Sequence, residues 1–121
     1  MIEPVSGLPD NVVGVRVSGT VTGVEYESVL IPAVDAALKA HKKVRIYYEV
    51  GPDFHGFTAS AAVDDMMMGL RHFSAWDRVA FVTDNPWLTH AVQAFRFMMP
   101  CPLRHFPLAE AADAKTWVAE S

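Results

Sequence analysis

Three short runs constrain the fold of this 121-residue chain more than anything else in it: NVVGVRVSG from Asn11, KVRIYYEV from Lys43 and RVAFVTD from Arg78. The first two alternate apolar and polar positions with the period of a strand. Val13, Val15 and Val17 share one side of the first run, opposite Gly14, Arg16 and Ser18. Val44, Ile46, Tyr48 and Val50 share one side of the second, and Arg45, Tyr47 and Glu49 give its other side a solvated look. The third run is apolar on both sides, which places it inside the sheet.

Helical patterns fill the intervals. TVTGVEYESVLIPAVDAALKAH opens with Thr22 and Glu25 at capping-box spacing and lines up Tyr26, Leu30, Ala33, Val34 and Ala37, with Pro32 predicting a kink. FTASAAVDDMMMGLRHF forms a second helix, entered through the loop GPDFHG. In DNPWLTHAVQAFRFMMP, Asn85 and Pro86 mark a helix start, and Trp87, Leu88, Ala91, Ala94, Phe95 and Met98 form the expected inward face. PLRHFPL reads as a last strand and AEAADAKTWVAES as a last helix docked by Trp117 and Val118. Strand and helix alternate at crossover spacing, so the expectation is an α/β fold with a mainly parallel sheet and helices mostly on one face.

The length fits one domain, residues 1–121. A formal charge of −4 supplies no basic field for nucleic acid and disfavours anionic membranes. No apolar run reaches the roughly 20 residues of a spanning helix, and the start MIEPVSGLPD lacks the pattern of a signal peptide, so the expected location is the cytoplasm. The single cysteine, Cys101, makes no internal disulfide. His41, His72 and His105 fall on separate elements without ligand spacing, so neither a metal nor a cofactor is expected.

The methionine triplet is the most unusual feature. With Met66 set to zero at about 100° per residue, Ala59, Ala62, Val63, Leu70 and Phe73 cluster around it, which predicts an inward stripe with Met66 in the core. Met67 falls at the boundary. Met68 falls opposite, near Ala61, Asp64, Arg71 and His72, and is expected to face solvent. Thioether side chains adapt to irregular apolar partners, and Gly69 together with the glycines and proline of VGPDFHG suggests a hinged helix. An acid/base site would need Asp53, His55, Thr58, Thr83, Asp84 and His90 to gather at the carboxyl edge of the sheet. Capping accounts for Thr58 and for Asp84 or Asn85, so the chain is not expected to be an enzyme.

The blocks GLPDNVVGVRVSGTVT, VLIPAVDAAL, GFTASAAVDD, GLRHFSAWDRVAFVTD and AFRFMMP, in that order, resemble the SpoIIAA-like family of small bacterial proteins, also described as STAS or SEC14-type. The resemblance implies a β/α superhelix with a mixed, mainly parallel sheet of about five strands and about four helices. It implies two kinds of functional relative. Anti-sigma-factor antagonists are phosphorylated at the start of the helix after the central strand, where this chain has FTASAA in place of an Asp-Ser-x-Gly signature, making Thr58 and Ser60 the candidate phosphosites. SEC14-type domains hold an apolar ligand beneath a movable helix. The expectation is therefore a non-enzymatic binding module holding an apolar small molecule or lipid-like segment near Phe54, Phe57, Met66, Met67 and Leu70. The alternative is a protein-interaction switch, and a homodimer is expected from Met68 and Phe97 on outer helix faces.

Overall fold

The computed structural model describes residues 1–120, apart from the side chain of Leu70. Five strands lie in chain order across one sheet: β1 (Ile2–Pro4), β2 (Val12–Val21), β3 (Val44–Phe57), β4 (Trp76–Val82) and β5 (Leu103–Phe106). β1 runs antiparallel to β2, and every other pairing is parallel. A chain that always steps to the next strand in the same sense deposits its connecting helices on one face. Helices α1 (Gly23–Glu25), α2 (Ile31–Ala40), α3 (Ala59–Arg71) and α4 (Pro86–Phe95) follow that rule, and α5 (Ala111–Ala119) crosses to the other side.

The first helix is continuous from α1 to α2 through a π-helical turn, Tyr26–Leu30. Thr22 and Glu25 form the expected capping box. Pro32 brings no N–H for a regular turn, and the wider π turn just before it absorbs the mismatch, with Ile31 N bonded to Tyr26 O. Tyr26, Leu30 and Val34 are fully buried against Val13, Val15, Val17, Ile46, Tyr48 and Val50.

The polar-looking side of KVRIYYEV is covered, contrary to its pattern. Tyr47 is fully buried and Glu49 nearly so, beneath α5, where Ala114 and Val118 pack on Val12, Ala80, Val82 and Phe106. Burial is tolerated because the polar groups are paired: Tyr47 Oη donates to Glu49 Oε1 at 2.5 Å, and Arg16 Nε lies 3.1 Å from Glu49 Oε2. Arg45 bonds Asp77 (2.8 Å) and donates to Val118 O (2.9 Å), while Arg78 donates to Trp117 O (2.7 Å). Both cations thereby sit on the carbonyls at the C-terminal end of α5.

GPDFHG is not a loop but the second half of β3. Val17 pairs with Val50 and Gly19 with Phe54, so residues 51–53 bulge out between them and Pro52 stands where no ladder N–H is required. Gly56, at φ 143°, then turns the strand so that Phe57 meets Val21.

Candidate functional site

Thr58 starts α3 as the sequence predicts, its Oγ1 accepting from Ala61 N at 3.2 Å. The rotation of the helix is the reverse of the prediction. Ala61 is fully buried, and Met68 packs against the main core. Met66 is 58% exposed, Met67 51%, and Val63 and Phe73 are about as open. The stripe expected to face the core is the outer face, and the side expected to face water is the inner one.

Polar contacts with the first helix explain the inversion. Gly23 lets α3 approach closely, since a Cβ there would lie 2.6 Å from Ser60 Oγ. Tyr26 Oη donates to Asp65 Oδ1 at 3.0 Å, which leaves Tyr48 Oη, 2.9 Å away, to donate to Tyr26. His72 Nε2 lies 3.4 Å from Asp35, and Trp76 Nε1 donates to Gly69 O at 3.2 Å. Burial pushes the Tyr26 phenol far above its usual range, and Asp65 and Tyr48 add to the effect. Burial likewise raises the Asp65 carboxyl, opposed by the Tyr26 hydrogen bond. Asp65 is open to solvent as a residue, so this burial acts at the carboxyl end and water discounts it.

The helix pays for this pose twice: Asp64 Oδ2 is buried without a hydrogen-bond partner among the described residues, and Val63, Met66 and Met67 are half exposed, as is Phe73 just beyond its end. An unpaired buried oxygen costs on the order of 1–3 kcal/mol, and each half-open apolar side chain forgoes on the order of 1 kcal/mol. Phe54 and Phe57, at the strand end leading into α3, form a tilted pair 5.0 Å apart, and both pack on the main core. Of the expected ligand residues, Phe54 and Phe57 thus sit together at the foot of the helix while Met66 and Met67 point outward. The Leu70 side chain lies outside the described residues.

The carboxyl edge does not gather an acid/base pair. A cavity of about 260 Å³ there is lined by Val50, Gly51, Pro52, Phe54, Thr83, Asp84, Asn85 and Leu108. Asp84 Oδ1 accepts from Leu108 N at 2.9 Å, and Thr83 Oγ1 accepts from Asn85 N at 3.0 Å. Asn85 Oδ1 caps α4 by accepting from Trp87 N and Leu88 N. His55 and His90 are exposed and, among the described residues, bond neither Asp53 nor Asp84. His105 instead enters this region, its Nε2 donating to Thr83 O at 2.8 Å. Among the described residues no cluster suited to a metal ion forms, and no helix is long and apolar enough to cross a membrane.

On α4 the expected inward face also needs correction. Leu88 is buried and Ala91 partly so, but Trp87, Ala94, Phe95 and Met98 are exposed. The missed signal was the pairing of Leu88 with Thr89 and Val92, a narrower inner stripe that seats Thr89 Oγ1 3.3 Å from His105.

A family model for SpoIIAA-like proteins matches residues 12–119. The fold is also similar to the crystal structure of an uncharacterized protein with a SpoIIAA-like fold from Shewanella loihica, with a TM-score of 0.75 and 23% identity over 98% of this chain and 92% of that one. No curated protein matches the chain. The match of the family model across all but the first strand and the last residues shows that the chain belongs to the SpoIIAA-like family.

Proposed function

We propose that the chain is a non-enzymatic binding module that takes an apolar small molecule or lipid-like segment along the outer face of α3. Met66 and Met67 are its contact residues, and the Phe54–Phe57 pair is its foot. The observation that supports this is the exposed stripe of Val63, Met66 and Met67 on α3, continued by Phe73 just beyond its end, while the Asp65 carboxyl and Met68 are turned toward the protein. Flexible thioethers adapt to ligands without fixed shape. This reading departs from a ligand held beneath the helix, because the methionines assigned to it are outside. Equilibrium binding of a fluorescent fatty-acid probe tests it. Met67→Glu should weaken probe binding at least about tenfold while leaving the melting transition intact, since a charge set against an acyl chain forfeits about 1.4 kcal/mol or more. Unchanged probe binding removes this face from consideration.

A second reading, a phosphorylation-controlled interaction switch, is supported at Ser60 rather than Thr58. Ser60 is exposed in the first turn of α3, its Oγ 3.1 Å from Thr58 Oγ1 and beside Gly23, whereas Thr58 Oγ1 also serves as the cap by accepting from Ala61 N. A phosphate there would gain from the helix N-terminus and lose from Asp64, whose Oδ2 lies with Ser60 beside Gly23. Ser60→Glu should alter partner capture if this switch operates, and identical capture by both forms rejects it.

A further inference from the structure

The outer side of α4 is a second apolar surface, and its charge is unlike that of the rest of the chain. At about 100° per residue, Trp87 and Ala94 fall within about 20° of one line with His90 on its flank, and Arg96, Phe97 and Met98 follow the helix in a turn. Trp87 is 72% exposed, Phe95 58%, Phe97 91% and Met98 68%. Residues 95–98 are consecutive and all exposed, so the chain leaves the helix as an apolar knuckle that projects on more than one side. No Asp or Glu occurs from residue 85 to 109, although the chain holds 14, whereas His90, Arg96, Arg104 and His105 all fall in that interval.

Behind the knuckle, a groove of about 200 Å³ lies between α4 and β5, lined by Val92, Gln93, Arg96, Leu103, Arg104 and His105. The Arg104 guanidinium is turned to the other face of the sheet, over the rings of Phe106 and Trp117. His105 Nε2 is committed to Thr83 O. Arg96 has no carboxylate within ion-pair distance among the described residues, so it is the cation that the groove offers, with the Gln93 carboxamide beside it.

We infer that this face docks on the surface of an anionic lipid bilayer, with Phe97 and Met98 entering the acyl boundary, Trp87 in the headgroup layer and Arg96 taking a lipid phosphate at the groove. Aromatic side chains with an adjacent arginine suit that layer, where apolar bodies are buried and charged tips stay wet. A second copy is the poorer occupant, because a two-fold axis through the knuckle would set Arg96 near its own counterpart. The whole-chain charge of −4 repels such a membrane, so neither the local cation nor the apolar insertion suffices alone, and both signals are required. The inference uses no residue of α3 and stands independently of the ligand reading.

Co-sedimentation of the full chain with vesicles of phosphatidylcholine, with and without phosphatidylglycerol, tests it. Wild type should bind the anionic vesicles, with a blue shift of tryptophan emission that Trp87→Phe removes. Phe97→Ser with Met98→Ser should lower the partition coefficient at least about tenfold, as the loss of two buried apolar side chains requires, and Arg96→Gln should remove the preference for anionic lipid. All of these positions are exposed, so circular dichroism should report an unchanged fold. Absence of vesicle binding, or equal binding by the serine double variant, overturns the inference. So does sedimentation velocity showing a dimer that the double variant dissolves, which would make the knuckle a subunit contact.

Discussion

Tyr26 ties three elements together through one oxygen. Its ring is buried in the main core, and its hydroxyl accepts from Tyr48 on β3 and donates to Asp65 on α3. Tyr26→Phe keeps the ring and strands both partners, so urea denaturation should show a loss of about 1–3 kcal/mol with little change in slope. A loss much below that range would mean water replaces the hydroxyl. Asp65 makes the same network pH-dependent. Its folded carboxyl titrates above the ordinary value of 3.8, so its contribution favours folding below that pH and is lost as pH rises through the folded pKa. Asp65→Asn, which keeps the acceptor for Tyr26, should therefore flatten the decline of stability between pH 4 and neutrality. A profile identical to wild type would show that the carboxyl is solvated. Neither tyrosine was legible as a polar partner in the sequence, because an aromatic on the inward side of a helix, as Tyr26, or of a strand, as Tyr48, fits the apolar pattern whether or not its hydroxyl is bonded.

At the scale of elements, periodicity located the helices but could not orient all of them. The first helix came out as its pattern predicts, because Tyr26, Leu30 and Val34 form its sole apolar stripe and its cap residues are explicit. α3 carries an apolar stripe on one side and Ala61, Met68 and His72 on the other, and the choice fell to Gly23, Tyr26 and Asp35, which belong to a different segment. Long-range pairing of this kind leaves no local signal. The same holds for β3, where Gly and Pro in GPDFHG read as loop punctuation although they build a bulge inside a paired strand, and for β1, which is too short to show alternation. The orientation of α3 is open to direct measurement. Met68→Glu should cost about 2 kcal/mol or more by placing a charge against the core, whereas Met67→Glu should change stability by no more than about 0.5 kcal/mol. The opposite order would restore the rotation expected from the sequence.

Across the whole molecule, sheet order and helix placement divide the protein into a firmly held side and a loosely held one. Beneath α5, Val12, Tyr47, Ala80, Val82 and Phe106 form a continuous layer, Trp117 is flanked by the Arg78 and Arg104 guanidiniums, and Arg45 and Arg78 bind the carbonyls at the end of the helix. α3 is longer, yet it is held by Ala61, Met68 and a few polar links, it buries an unpaired carboxylate oxygen, and Gly69 weakens its interior. Local opening is governed by buried contact rather than by length, so the two helices should separate in hydrogen exchange. Amides of α5 should exchange only with global unfolding, as those of β3 and β4 do, while amides of α3 should exchange through a smaller opening that urea barely affects. Binding of an apolar probe to Met66 and Met67 should slow exchange in α3 alone. Should α3 prove as protected as β3 in the free protein, its exposed stripe would belong to a rigid surface, and a ligand would have to fit the pose already present rather than select another.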